Sequence, residues 1–142
     1  PRVVLAPADL DGRSEVLYGA YLAGTALAVA GTGMHHKICH VLGGTYGLPH
    51  AQTHAVLLPY VALLLDGGLR AVAATLGAER AADGLRELAM RIGAPTSLRE
   101  IGMRARDIAQ AATLVVERVA VAEPTARRLL ETAYEGRWEG AR

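Results

Sequence analysis

The chain has 142 residues, enough for one domain with a sizeable core, and 51% of them are hydrophobic. Fifteen Lys and Arg balance 14 Asp and Glu, so a net charge of +1 supplies no field to gather nucleic acid or anionic lipid. The single cysteine, Cys39, excludes an internal disulfide framework and fits a reducing, cytoplasmic setting.

No basic stretch followed by an apolar run opens the chain, and a first residue of Pro1 reads as the start of a fragment. Val3, Val4 and Leu5 form the one β-like run. Everything after Asp11 repeats at helical rather than alternating period, so the expected class is all-α, a single helical domain over residues 1–142.

Asp11 is placed to cap a helix from about Arg13 to Ala30, which Gly31 and Gly33 end. Residues 16–34 carry no charge over roughly the length that crosses a bilayer. Gly19, Gly24, Thr25 and several alanines lower their hydropathy, however, and favour a helix buried in a protein core over a membrane span. A second helix carries His35 to Leu42 and is expected to stop at Gly43 and Gly44. Pro49 suits the first turn of a third, which runs to about Leu65 with Pro59 kinking or locally breaking it.

Asp66, Gly67 and Gly68 end that helix, and a short one follows around residues 69–76. Leu85, Leu88, Ala89 and Ile92 mark the next, whose Arg and Glu residues read as an exposed face. Ser97 and Glu100 have capping-box spacing and predict a brief helical turn. Ile108, Ala112, Val115 and Val119 form one stripe, and Pro124 opens a last helix to about Tyr134.

Chemistry concentrates in one stretch. His36 with His40, and His50 with His54, are i,i+4 pairs that place both rings on one helix face, and His35 completes the set. Such pairs suit a shared metal or substrate, and equally suit histidines that cap helix ends or satisfy buried backbone groups. Neutral imidazoles fit zinc or iron, but no Asp or Glu lies between Glu15 and Asp66 to complete a catalytic metal site. Lys37 can meet a carboxylate or remain solvated, and protonated histidines would add to an anion-friendly pocket. Cys39 and His40, as helix neighbours, do not face one another, which makes Cys39 a small core residue rather than a nucleophile. Gly31 and Gly33 lack the third glycine and preceding strand of a dinucleotide fingerprint.

Gly33, His36, His40 and the Pro49-His50 dipeptide resemble the pattern of the iron-containing alcohol dehydrogenase superfamily. The fuller run His35-His36-Lys37, Cys39-His40-Val41-Leu42-Gly43-Gly44, then Pro49-His50-Ala51 and His54-Ala55, is similar to its maleylacetate reductase subgroup, as is the stretch from Leu17 to Leu27. The likeness is convincing over residues 9–103.

It implies the C-terminal multi-helix bundle of the dehydroquinate synthase-like fold, paired in the whole enzyme with an N-terminal nucleotide-binding domain absent from this sequence, and commonly a homodimer. The implied reaction reduces maleylacetate, a small dicarboxylate, to 3-oxoadipate with NADH or NADPH. In that resemblance His40 is the catalytic proton-transfer residue, and His36, Lys37, His50 and His54 bind substrate. His36 and His50 ligate iron or zinc where a metal is bound. His54 follows the subgroup, in which an aspartate ligand on an earlier helix is typically replaced. A metal-dependent alcohol or aldehyde dehydrogenase and a non-catalytic helical assembly module are the other readings of the chain.

Overall fold

Every regular element among the described residues, 2–138, is a helix in the computed structural model. Contacts along the chain divide it into two units, Pro1–Gly33 and Met34–Arg142.

The first unit holds α1 (Arg2–Leu5) and α2 (Leu10–Ala30). Val3, Val4 and Leu5 are thus helical, not extended. The run is too short for its β-branched residues to outweigh a local turn, and no strand stands beside it to pair. Asp9, rather than Asp11, caps α2, its carboxylate accepting the Asp11 amide at 3.2 Å. Arg2 pairs with Asp9 and reaches Asp11 at 3.5 Å, tying α1 to the start of α2.

Only Gly12 of α2 is buried, whereas Leu17, Tyr18, Tyr21 and Val29 are exposed, so the expectation of a core helix is corrected. Within its unit α2 has only the four-residue α1 to pack on. No single helix among the described residues is long and apolar enough to cross a membrane.

The second unit is built on α3 (Met34–Tyr46), α4 (His50–Leu64), α5 (Arg70–Leu76), α6 (Ala81–Arg91), α7 (Ile108–Val116) and α8 (Glu123–Glu135), with short 3-10 turns at Asp66–Gly68 and Ala105–Asp107. Helix α4 is central, packing on α3, α6 and α8, while α7 lies against α3 and α8. Ile38 and Leu42 from α3, Val56, Leu57 and Val61 from α4, Leu98, Val115 from α7 and Leu130 from α8 fill the interior. Each contributes about 1.5–3 kcal/mol by leaving water.

Helix α3 continues through Gly43 and Gly44, where an end was expected. Each helical glycine costs about 1 kcal/mol, which the packing of Leu42 against the core offsets. The helix ends at Gly47 instead, whose φ of +68° only glycine adopts readily and whose amide donates to the Gly43 carbonyl at 3.0 Å. Helix α4 likewise runs through Pro59 without interruption, with Val56, Leu57, Tyr60 and Val61 around it buried in the core.

The capping box at Ser97 forms, with Ser97 Oγ accepting the Glu100 amide and Glu100 accepting the amides of Thr96 and Ser97, but residues 98–102 make a turn rather than a helix. In α6, Gly84 stands where a Cβ would lie 2.8 Å from the Leu76 Cβ, so α5 and α6 approach more closely than any larger residue permits.

Candidate functional site

The turn over Gly47, Leu48 and Pro49 sends the chain back alongside itself, so the two i,i+4 histidine pairs meet across α3 and α4. The His36 ring lies 4.7 Å from His40 on its own helix, and 4.5 Å from His54 and 5.8 Å from His50 on the facing one. His40 is 5.8 Å from His50, His50 is 4.3 Å from His54, and His35 closes on His54 at 4.8 Å, all between ring centroids. Five imidazoles therefore form one knot, open to solvent at His40 and His50 and part-buried at His35, His36 and His54.

His35 acts as a fastener. Its Nε2 lies 3.1 Å from the His54 carbonyl, and with the proton on that nitrogen it donates there. Cys39, one turn along, is 1% exposed, and its Sγ is 3.5 Å from the same Nε2. Burial pushes the Cys39 thiol up to about 12, so it stays protonated at neutral pH and belongs to the core, as its position suggested.

The rings suppress one another's charge. Burial, and then the neighbouring imidazoles, bring His54 down to about 4, and the same causes lower His36. His35 is lowered by burial first, against its bond to the His54 carbonyl. Protonated histidines thus do not supply the positive charge of an anion pocket at these three positions.

Fixed positive side chains stand beside the cluster instead. Lys37, His40, Val41 and Thr45 on one face of α3, with Leu114, Glu117 and Arg118 at the end of α7, line a cavity of about 550 Å³, ample for a small dicarboxylate. His40 belongs to both the ring cluster and this cavity. Arg118 had no motif to mark it, since a basic residue near a helix C-terminus ordinarily reads as a partner for the helix dipole.

A metal finds donors here. His36, His50 and His54 each offer a nitrogen, and the three atoms lie within 4.8 Å of one another. The His54 Nε2 is buried with no hydrogen-bond partner among the described residues, and a lowered proton affinity leaves ring lone pairs available. The set fits a transition metal through imidazole alone, with no carboxylate in it.

The lowered His54 has a consequence for stability. Unfolded, the ring takes a proton near its ordinary 6.5; folded, it does so only near 4. The unfolded state binds more protons in that window, so this contribution is complete above 6.5 and is lost as pH falls towards 4. Solvent screening at a part-exposed ring reduces it to about 1–2 kcal/mol. The unfolding free energy from denaturant titration should fall by that amount more between pH 7 and pH 4.5 in the native protein than in His54→Asn, and equal pH slopes would refute the assignment.

The fold and site define a class. Residues 1–130 match the family described as Fe-containing alcohol dehydrogenase family, C-terminal, and the chain belongs to that family. It is 41% identical to maleylacetate reductase of Rhizobium sp. (strain MTP-10005), aligning 96% of this chain with 41% of that protein, and 41% identical to maleylacetate reductase 1 of Cupriavidus pinatubonensis, over 100% of this chain and 42% of that one. Among solved structures, an iron-containing alcohol dehydrogenase from Corynebacterium glutamicum superposes with a TM-score of 0.89 at 44% identity, covering 97% of this chain and 42% of the other. The chain thus spans about two fifths of the length of the curated relatives it matches.

Proposed function

We propose that this chain is the helical wall of a cleft in which hydride from NADH or NADPH reduces maleylacetate to 3-oxoadipate. The observation that carries the reading is the junction at His40, where the imidazole cluster meets a cavity bearing Lys37 and Arg118. Hydride adding to the carbon–carbon double bond drives negative charge onto the conjugated carbonyl, and the enolate then takes a proton. His40 Nε2 or Nδ1 supplies that proton and is reprotonated by solvent, since imidazole both donates and accepts near neutral pH. Lys37 and Arg118 hold the carboxylates, and His36, His50 and His54 orient the keto group through hydrogen bonds from their rings.

The nucleotide-binding half is the partner such a reaction requires, and the exposed apolar side chains of α2 support its presence, because a face of that kind is ordinarily covered. A variant of the reading uses a metal. His36, His50 and His54 would hold it, and when bound it supplies Lewis-acid polarisation of the substrate carbonyl. Stoichiometric iron or zinc by elemental analysis, with loss of activity on chelation, distinguishes the metal-dependent alcohol or aldehyde dehydrogenase.

Fusing the chain behind the nucleotide-binding half of the Rhizobium maleylacetate reductase tests the proposal. Maleylacetate-dependent oxidation of NADH or NADPH is expected. A folded fusion that oxidises neither cofactor overturns it.

A further inference from the structure

Beside the open imidazole cluster lies a second set of donors with a different chemistry. His35 and Cys39 stand one turn apart on α3, and His54 faces them from α4. One ligand atom from each lies within 4.8 Å of the other two. The Nε2 of His35 and the Sγ of Cys39 are 3.5 Å apart. In a tetrahedral zinc site, bonds of about 2.3 Å to sulfur and about 2.0–2.1 Å to nitrogen set those two atoms about 3.5 Å apart. We propose that His35, Cys39 and His54 form a binding site for a soft, closed-shell cation, Zn²⁺ or Cu⁺, distinct from the His36, His50 and His54 set and sharing only His54 with it.

Two observations converge on a cation rather than a hydrogen bond between thiol and imidazole. The His35 Nε2 has two neighbours, Cys39 Sγ and the His54 carbonyl, but as a neutral ring atom it either donates or accepts and so serves only one. The His54 Nε2 lies buried without a partner among the described residues, which no thiol–imidazole bond relieves. The sulfur itself sits in the core beside Ile38 and Leu42 as a neutral thiol, and it becomes a thiolate only when the ion binds and balances it. Binding releases the Cys39 proton to solvent as the sulfur–metal bond forms, and takes the lone pairs of the two nitrogens. The His54 carbonyl loses the His35 donor but, lying inside α4, keeps the helical bond from the amide four residues on.

Two imidazoles and one thiolate with an open fourth position form a donor set that selects zinc or copper over magnesium, calcium or manganese. One ring nitrogen holds one ion, so an ion on the buried His54 Nε2 leaves only Nδ1 of that ring for the open cluster.

Cobalt reports which set is used, because thiolate ligation alone gives an intense near-ultraviolet charge-transfer band. The metal-free full chain, titrated with Co²⁺, should develop that band at one equivalent, and Zn²⁺ should displace it. Cys39→Ser and Cys39→Ala, each checked for native far-ultraviolet circular dichroism, should abolish the band and weaken Zn²⁺ binding at least about tenfold, while His50→Gln retains both. Absence of the band in the native chain, or its survival in both Cys39 variants, overturns the proposal. So does weak visible absorption alone that is lost in His50→Gln, which places the ion on His36, His50 and His54.

Discussion

Replacing His40 by asparagine in the fused enzyme is expected to lower kcat by about 10²–10⁴-fold, the range that positioned proton transfer supplies, with little change in KM. That loss corresponds to about 2.7–5.5 kcal/mol of barrier. Asparagine keeps a planar, hydrogen-bonding side chain at the mouth of the cavity but cannot carry a proton between solvent and enolate. His40 is exposed and outside the core, so stability should stay within about 0.5 kcal/mol of the parent. A fall in kcat without a fall in melting temperature thus separates proton transfer from scaffolding. His36→Asn provides the contrast: its pKa is lowered and the proposed role of its ring is to orient substrate, so KM should rise along with any loss of kcat. If His40→Asn retains more than a tenth of the parent kcat, the proton comes from another group, and Lys37, which lines the same cavity, becomes the first to test.

Much of this site was legible because helical period is a local signal. The i,i+4 spacing of His36 with His40 and of His50 with His54 fixes one face of each helix, and Pro49 marks where the second begins. The meeting of His36 with His54 was not legible from spacing, since it depends on the three-residue turn ending in Pro49 and on the left-handed glycine that starts it. Gly43 and Gly44 misled for a related reason. Their intrinsic cost is about 1 kcal/mol each, and a sequence does not disclose that the Leu42 beside them is fully buried. The α2 segment misled in the opposite direction, since apolar composition reports a need for burial and not what supplies it. Arg118 enters the cavity from the turn after α7, some eighty residues on, and no motif links it to Lys37.

Arg86 is the sharpest departure from the sequence reading, and its removal should be the most destabilising change outside the apolar core. Charged residues on α6 read as a solvated face, yet the Arg86 guanidinium is part-buried and spans three segments. One terminal nitrogen donates to the Tyr60 hydroxyl at 3.2 Å and the Thr96 carbonyl at 3.0 Å, and the other to the Gly136 carbonyl at 3.1 Å. The Trp138 ring lies 5.6 Å from the guanidinium carbon, and its indole N–H is held by Asp83, which Arg80 grips in turn.

Arg86→Ala leaves the Tyr60 hydroxyl and two carbonyls without this donor. At about 1–3 kcal/mol for a buried group left unsatisfied, and less for those that water reaches, the loss should total about 3 kcal/mol. For a helical unit of this size that lowers the melting temperature by about 10 °C. Arg86→Lys keeps the charge but not the planar fork, reaches one acceptor rather than three, and should recover less than half of the loss. Tyr60 lies on α4, the helix that carries His50 and His54, and α4 is packed from α3, α6 and α8 together. Loosening its far end by removing Arg86 should therefore reduce activity only in step with the folded fraction, leaving kcat per folded molecule unchanged. A stability loss below about 1 kcal/mol would mean that water replaces the arginine at these carbonyls without penalty, and that the convergence of α4, α6 and the end of α8 rests on packing alone.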